Sequence, residues 1–266
     1  MKQFGINLNS IDLIKKPALA KQILKTVQDG IFDFVQLHAR TTPEFYEDIS
    51  AEIRQQMKDI KAVIHAPFHL PQKYIGVNTS DNNAFENNIK FLEFSQKCAD
   101  LLKSDIIILH PGIGDTEECV NETIRQINMI GDSRITIENV PYDPFGFIMH
   151  GGNPGNIRRI INETSSKFCF DFAHAVCAAN ALNRNVYDDF RIYNSLKPSL
   201  YHLSDGDFFV NFDAHFHLGL GNYDIEKFLR DFSDTDAMIV LETFNPNSDI
   251  IDPWLKDAEY LRKLKI

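Results

Sequence analysis

The residues best placed to do chemistry in this chain of 266 residues are histidines and carboxylates at the ends of short apolar runs. The densest group lies in Tyr201 to Gly221, YHLSDGDFFVNFDAHFHLGLG, which holds His202, His215 and His217 together with Asp205, Asp207 and Asp213. Imidazole and carboxylate are ligands that suit zinc, manganese or iron. His202 is expected to close a strand, and Asp213 and His215, two apart, to point the same way from an extended segment. Solvated loops also collect aspartate, but the other run ends carry the same chemistry. In order they are His65 of IHAPF, His110 of ILHPG, Glu138 of TIENV, Asp171 of CFDFAHA, His202 of YHLSD and Glu242 of VLETF. One such residue is most simply a hydrogen-bonded loop residue. Six in succession would crowd carboxylates that repel one another unless cations hold them. His174, three beyond Asp171, is expected to join from a loop, as are Asp213 and His215. Nine candidates exceed what one tetrahedral ion can use, so the set points to a multinuclear site in which Glu138 or Glu242 bridges two ions.

These residues converge only if the elements carrying them share an edge. Eight apolar runs read as strands: Phe4 to Asn7, Phe32 to Leu37, Ala62 to His65, Asp105 to His110, Arg134 to Glu138, Lys167 to Asp171, Ser199 to Leu203 and Ala237 to Glu242. Between them, apolar residues recur near every 3.6 positions in Pro17 to Gln28, Pro43 to Ile60, Ala84 to Leu102, Glu117 to Ile130, Asn156 to Asn162, Val186 to Leu196 and Asp224 to Phe232, and Asp252 to Leu264 closes the chain. Thr42 with Pro43, and Thr116 before Glu117 and Glu118, read as helix starts. Eight strand-helix units at this length predict a (β/α)₈ barrel of the TIM type, whose strand C-termini and following loops meet on one face. A doubly wound open sheet is the weaker alternative, because no G-x-G-x-x-G follows the first strand. No linker or low-complexity segment divides the chain, so one domain over residues 1–266 is expected.

Composition limits the function classes. An apolar content of 44% can bury a sizeable core, no run is long enough to span a membrane, and MKQFGINLNS lacks the features of a secretion signal, so a cytoplasmic protein is expected. Cys98, Cys119, Cys169 and Cys177 show no C-x-x-C pair and are read as reduced thiols. The net charge of −10 argues against a broad basic face for nucleic acid, although clustered divalent cations would offset part of it locally.

The ordered series H-A-P-F, H-P-G, I-E-N, D-x-x-H-A, H-L-x-D, D-x-H-x-H-x-G-x-G and L-E-T resembles the xylose-isomerase-like barrel superfamily, and most closely its endonuclease IV branch, AP endonuclease family 2. The resemblance runs from about residue 60 to 245. It implies that His65, His110 and Glu138 hold one metal, that Glu138, Asp171, His202 and Glu242 hold a second, and that His174, Asp213 and His215 hold a third. It also implies zinc, sometimes with manganese or iron, and cleavage of the phosphodiester 5′ to an abasic site in DNA. Glu138 would orient the attacking water, and Glu242 is the second candidate catalytic carboxylate. Sugar isomerases and epimerases of the same superfamily share positions like Glu138, Asp171, His202 and Glu242 around one metal, with Glu138 and Glu242 as an acid-base pair.

The chain departs from the endonuclease IV pattern in its loops. The segments QLHARTTP and PFHLPQKYIG offer only Arg40, Phe68, Lys73 and Tyr74 as substrate contacts, and the loop after strand seven lacks the serine-lysine of the family and is shorter. With Arg184 and Lys197 the only other cations near plausible rim loops, weak duplex affinity is expected. The partner is expected to be abasic DNA or a small phosphorylated or sugar substrate, bound by a monomer. His217 is a candidate substrate contact or neighbour of the ligands; Asn139 and Asp205 are read as residues that orient them. His38 and His69 fall outside the ligand set, His150 is assigned to a flexible glycine-rich turn, and Asp143 and Asp207 to solvated positions.

Overall fold

A computed structural model describes residues 1–41, 43–69, 76–144, 146–244 and 250–265. Eight strands close into an all-parallel barrel in sequence order: β1 (Gln3–Asn9), β2 (Phe34–His38), β3 (Ala62–His65), β4 (Ile107–Leu109), β5 (Ile135–Glu138), β6 (Lys167–Asp171), β7 (Leu200–Leu203) and β8 (Met238–Leu241), with β1 paired to β8. Around it run α1 (Asp12–Lys15), α2 (Pro17–Gln28), α3 (Tyr46–Gln56), α4 (Phe85–Leu102), α5 (Glu117–Ile130), α6 (Pro154–Thr164), α7 (Phe172–Ala181), α8 (Val186–Ser195), α9 (Ile225–Phe232) and α10 (Asp252–Leu261). This is the (β/α)₈ barrel expected from the pattern of runs. Thr116 caps α5 as read, its Oγ1 accepting from the Cys119 amide at 3.3 Å. Thr42, Lys73 and Tyr74 lie outside the described residues. Among the described residues no helix is long and apolar enough to cross a membrane. The four cysteines are free thiols.

Two elements escaped the periodicity. α1 is a single turn, too short to show a pattern. α7 is buried on nearly every side, from Phe172 through Ala179, so it has no polar stripe and its sequence reads as a featureless apolar run. His174 therefore stands in the first turn of a helix, where a loop was expected.

The barrel interior explains where the chemistry sits. Side chains alternate along a strand, and the inward set is apolar at one end and polar at the other. Phe34, Val63, Ile106, Ile108, Cys169, Leu200 and Val240 form a separate small cluster. One alternation further along the same strands come Gln36, His65, His110, Asp171, His202 and Glu242. Gly5 of β1 completes the lower layer: a Cβ there would lie 2.5 Å from the Phe34 ring, so only glycine leaves room for that phenylalanine. The larger cluster lies between the sheet and the helices.

His150 belongs to neither layer. The turn His150–Gly152 is fully buried, with Nδ1 of His150 donating to the Gly114 carbonyl at 3.0 Å and Nε2 facing Thr123 Oγ1 at 3.3 Å. A Cβ on Gly151 or Gly152 would fall within 2.6 Å of Pro111 or Tyr142. The turn is packed against its neighbours, which corrects the flexible turn expected from its glycines. Burial holds the His150 imidazole down at about 4, against a small opposing effect of the Gly114 carbonyl. Between the ordinary histidine value of about 6.5 and 4, the unfolded chain takes up a proton that the folded one refuses, so stability falls as pH drops through that window. Wild type is expected to lose roughly 2 kcal/mol more than His150→Gln between pH 7 and pH 5. Urea midpoints at the two pH values check this, and parallel losses in both proteins would exclude it.

Candidate metal centre

Glu138 is the hub. It sits at the end of β5 with 0% exposure, and both carboxylate oxygens face imidazoles: Oε2 is 3.2 Å from His65 Nε2 and 3.2 Å from His110 Nε2, and Oε1 is 3.0 Å from His202 Nδ1 and 3.2 Å from His174 Nδ1. Burial pushes its carboxyl up, but the surrounding rings of His202, His110 and His174 outweigh that and hold it well below the usual carboxylate range. Asp171, equally buried, goes the other way and is pushed up to about 7, because burial and the Glu138 charge exceed the help from His174 and His202.

Four of the five imidazoles have their tautomers set by a second partner. Nδ1 of His65 donates to the Ala66 carbonyl at 2.7 Å, Nδ1 of His174 to the Asn139 carbonyl at 2.9 Å and Nδ1 of His215 to the Glu242 carbonyl at 2.6 Å. Nε2 of His202 donates to Gln36 Oε1 at 2.9 Å. A carbonyl oxygen can only accept, so each ring gives up its N–H there and turns a lone pair inward. Inward, those lone pairs meet carboxylate oxygens, which also only accept when ionised: His65 Nε2 meets Glu138 Oε2 at 3.2 Å, and His174 and His215 Nε2 meet Asp213 Oδ2 at 3.2 and 2.6 Å. Either the rings carry an extra proton or a cation lies between the lone pairs. The buried Asp213 Oδ1 has no hydrogen-bond partner at all, which also fits an ion in that position. Anchoring of a ligating histidine through its far nitrogen is the usual arrangement at metal sites.

The ligand atoms fall into compact groups. His65, His110 and Glu138 form one, Glu138, Asp171, His202 and Glu242 another, and His174, Asp213 and His215 a third, with the atoms of each group all within 4.8 Å of one another. A further group sets Cys169 beside Glu138 and His202 in place of Asp171 and Glu242; burial pushes that thiol up to about 12. The residues that hold these groups in place are the ones read as orienters. Asn139 Nδ2 donates to the Asp171 carbonyl and its Oδ1 accepts from the Asp171 amide, both at 2.8 Å, while Asp171 Oδ1 caps α7 through the His174 amide at 2.7 Å. Asp205 gathers the amides of Gly206, Gly219, Gly221 and Tyr223 at 2.8 to 3.1 Å, folding the loop that carries Asp213 and His215. At Gly221 a Cβ would lie 2.2 Å from the Gly206 carbonyl, so the loop closes only over glycine. His215 itself has φ +48, a left-handed conformation rather than the extended one expected, at a cost of about 1 kcal/mol for a residue with a Cβ.

Two residues outside the expected ligand set take part: Gln36, which no motif marked, and His38, which was set aside. Gln36 links the groups, its Nε2 donating to Glu242 Oε1 at 2.6 Å and to Asn7 Oδ1 at 3.1 Å while its Oε1 takes the His202 proton. His38 stacks on His65 with centroids 4.6 Å apart and lies 3.7 Å from Glu242; burial, with His65, Arg40 and His202 nearby, holds it well below its usual range and therefore neutral. The signal was available: in FVQLH, two polar residues two apart interrupt a buried run, the spacing of inward positions.

Above the ligand groups is a cavity of about 230 Å³ whose floor is His38, His65, His110, His174, Asp213, His215 and Glu242 and whose walls are Phe68, Pro141, Pro144, Met149 and Phe212. A second cavity of about 310 Å³ adjoins it along His38, Phe68, His215 and Glu242 and adds Asn9, Asp12 and Arg40. Phe68 stacks on His110 at 4.9 Å, and the Arg40 guanidinium lies 4.6 Å over its ring. Glu138 lines neither cavity; Glu242 lines both. His217 lies off both walls, paired with Asp257 at 2.7 Å. Asp143 caps the Gly146 amide and Asp207 accepts from Phe209 and Asn222, as solvated turn residues do. Lys197 precedes β7 and so stands at the opposite end of the barrel from the cavity, which removes it from the expected rim, while Arg184 pairs with Asp189 at 2.8 Å and donates to the Gly152 carbonyl in the loop after β5 at 3.1 Å.

A closed parallel barrel with clustered histidines and carboxylates at the strand C-termini defines a class of fold and site. Residues 25–264 match the family described as the xylose isomerase-like TIM barrel, in its AP endonuclease 2 group, and the chain belongs to that family. An uncharacterized protein of Methanocaldococcus jannaschii is 24% identical over 230 residues, 82% of this chain and 84% of its own. Among solved structures, endonuclease IV from Thermus thermophilus is similar with a TM-score of 0.66 and 20% identity, over 98% of this chain and 99% of its own. A D-allulose 3-epimerase from Methylomonas sp. is similar with a TM-score of 0.68 and 11% identity, over 99% and 98%. At these identities the likeness shows the fold, which the two activities share.

Proposed function

We propose that the protein is a divalent-metal-dependent phosphodiesterase of the endonuclease IV type, using zinc and cleaving DNA at abasic sites. The observation that supports this reading is the presence of three ligand groups, two of them joined through Glu138, where a proton-transfer enzyme needs only the group of Glu138, Asp171, His202 and Glu242. Bound divalent cations supply neutralisation of phosphate charge, activation of water near neutral pH and stabilisation of the departing oxygen. Glu138, fully buried and surrounded by four imidazoles, belongs to two of the ligand groups and would hold the ions of both. Glu242 lines both cavities, and Gln36 Nε2 holds one of its oxygens at 2.6 Å, so Glu242 would orient the attacking water. Neutral His38 on the same wall can accept or donate a hydrogen bond to substrate. Pro141, Pro144, Met149 and Phe212 keep bulk water from the sides of the cavity.

The test is an abasic duplex incubated with zinc- or manganese-loaded protein beside an Asp213→Ala control. With net charge −10 and Arg40 already stacked over Phe68, duplex affinity is expected on the order of micromolar at physiological salt, with slow incision 5′ to the lesion that the control lacks. Incision at sub-nanomolar enzyme would contradict the weak rim. No incision with all metals bound would favour a second reading, a sugar isomerase or epimerase, for which the apolar-walled cavity of about 230 Å³ is the supporting observation; a keto-sugar panel in deuterated solvent would then show wash-in at the reacting carbon.

A further inference from the structure

The last helix reaches into the site through one buried carboxylate. Asp257 of α10 is 1% exposed, and its two oxygens collect three donors from two different loops. Oδ1 accepts from the Leu218 amide at 2.8 Å; Oδ2 accepts from His217 Nδ1 at 2.7 Å and from Thr243 Oγ1 at 2.8 Å. His217 and Leu218 follow Asp213 and His215 on the loop after β7, and Thr243 follows Glu242 at the end of β8. The same two loops are tied a second time nearer the site, where the Phe244 amide donates to the His215 carbonyl at 2.7 Å and His215 Nδ1 donates to the Glu242 carbonyl at 2.6 Å. Trp254, one turn before Asp257, donates through Nε1 to the Thr243 carbonyl at 3.4 Å and meets the His217 ring edge-on at 6.3 Å.

A surface aspartate could be lost at little cost, but this one compensates three buried donors, and removing it leaves an amide, a hydroxyl and an imidazole N–H without partners. His215 adds a reason for the clamp. Its left-handed backbone persists only where its surroundings over-determine it; its own ring and carbonyl are tied to the loop after β8, and the next residues along, His217 and Leu218, are tied to Asp257. We propose that Asp257 is a positioning residue: from α10 it sets the relative placement of the Asp213–His215 loop and of Glu242, and so the geometry of two of the three ligand groups. The inference rests on the reading of those residues as metal ligands. It explains why His217 is turned from the cavity, since its ring serves the clamp.

The experiment titrates metal-free protein with zinc, followed by calorimetry and by emission of Trp254, the single tryptophan of the chain. In wild type, zinc is expected to change Trp254 emission, because α10 is tied to the loops that close on the metal. Asp257→Ala is expected to weaken at least one zinc site by about tenfold to a hundredfold, as losses of groups that orient ligands do, and to abolish the emission change. Asp257→Asn, which keeps an acceptor oxygen, is expected to recover part of both. A residue that served the fold alone would lower Tm and leave the zinc isotherm within threefold of wild type with the emission change intact, and that result overturns the proposal. Should Asp257→Ala not fold, Thr243→Val removes one hydroxyl, and the same two readouts decide. Fewer than three ions in wild type would sink the three-ion reading on its own, while the difference between wild type and variant at the sites that do fill tests Asp257 separately.

Discussion

On the proposed phosphodiesterase reading, Glu138→Gln is expected to reduce hydrolysis by at least about a thousandfold, because a carboxylate shared by two ions would support several kcal/mol of transition-state stabilisation and each 1.4 kcal/mol is a factor of ten. The substitution keeps volume, so the barrel should fold; what it removes is the charge that four imidazoles share at 3.0 to 3.2 Å. A glutamine also brings an N–H₂ group, which would point at the inward lone pair of a histidine and occupy it with a hydrogen bond. The expected metal content therefore falls in the two groups that contain Glu138, while His174, Asp213 and His215 form a group without it. Elemental analysis beside a turnover assay checks both parts. Full metal content with full activity would show that Glu138 is not the bridge.

Chelation of the metal-loaded protein is expected to lower Tm on the order of 10 °C for each tight site emptied, since a site held a thousandfold above its dissociation constant contributes about 4 kcal/mol and each kcal/mol moves Tm by roughly 2 to 4 °C in a chain of this length. The physical cause is the carboxylate set. Glu138, Asp171, Asp213 and Glu242 are all buried or nearly so, and without cations their mutual repulsion is relieved only by protons on the carboxylates or on the facing rings. Asp171, pushed up to about 7, would take one near neutral pH. Thermal melts before chelation, after it and after zinc is restored read the effect directly. A Tm that stays constant while the metal content drops to zero would rule it out.

Much of the fold was legible because its signals are local. Pro17–Gln28 and Glu117–Ile130 have amphipathic stripes and clear starts, and the observed helices have the expected bounds. Ala62–His65 and Lys167–Asp171 are apolar runs ending abruptly in a residue that cannot stay in the core unpaired, and the strands end there too. Other features leave no local signal. α7 was missed because a helix buried all round has no period, and Lys197 was placed on the rim because a loop before a strand and a loop after one look alike in sequence.

The sequence by itself determined the kind of chemistry: which strand ends carry imidazole or carboxylate, and that they outnumber the needs of one ion. These follow from residue type and order alone. Only the tertiary structure decided how the groups are wired. Gln36 and His38 enter because a closed barrel turns alternate residues of β2 toward Glu242 and His65, 206 residues away in one case. The tautomers of His65, His174, His202 and His215 are set by carbonyl oxygens contributed by the backbone at three positions and by a glutamine at the fourth, and a backbone carbonyl leaves no mark in a sequence. Asp257 reads as one more acidic residue on a surface helix until α10 is packed against the loops after β7 and β8. Hydrogen bonds between distant segments depend on register and packing, which exist only once the barrel has closed.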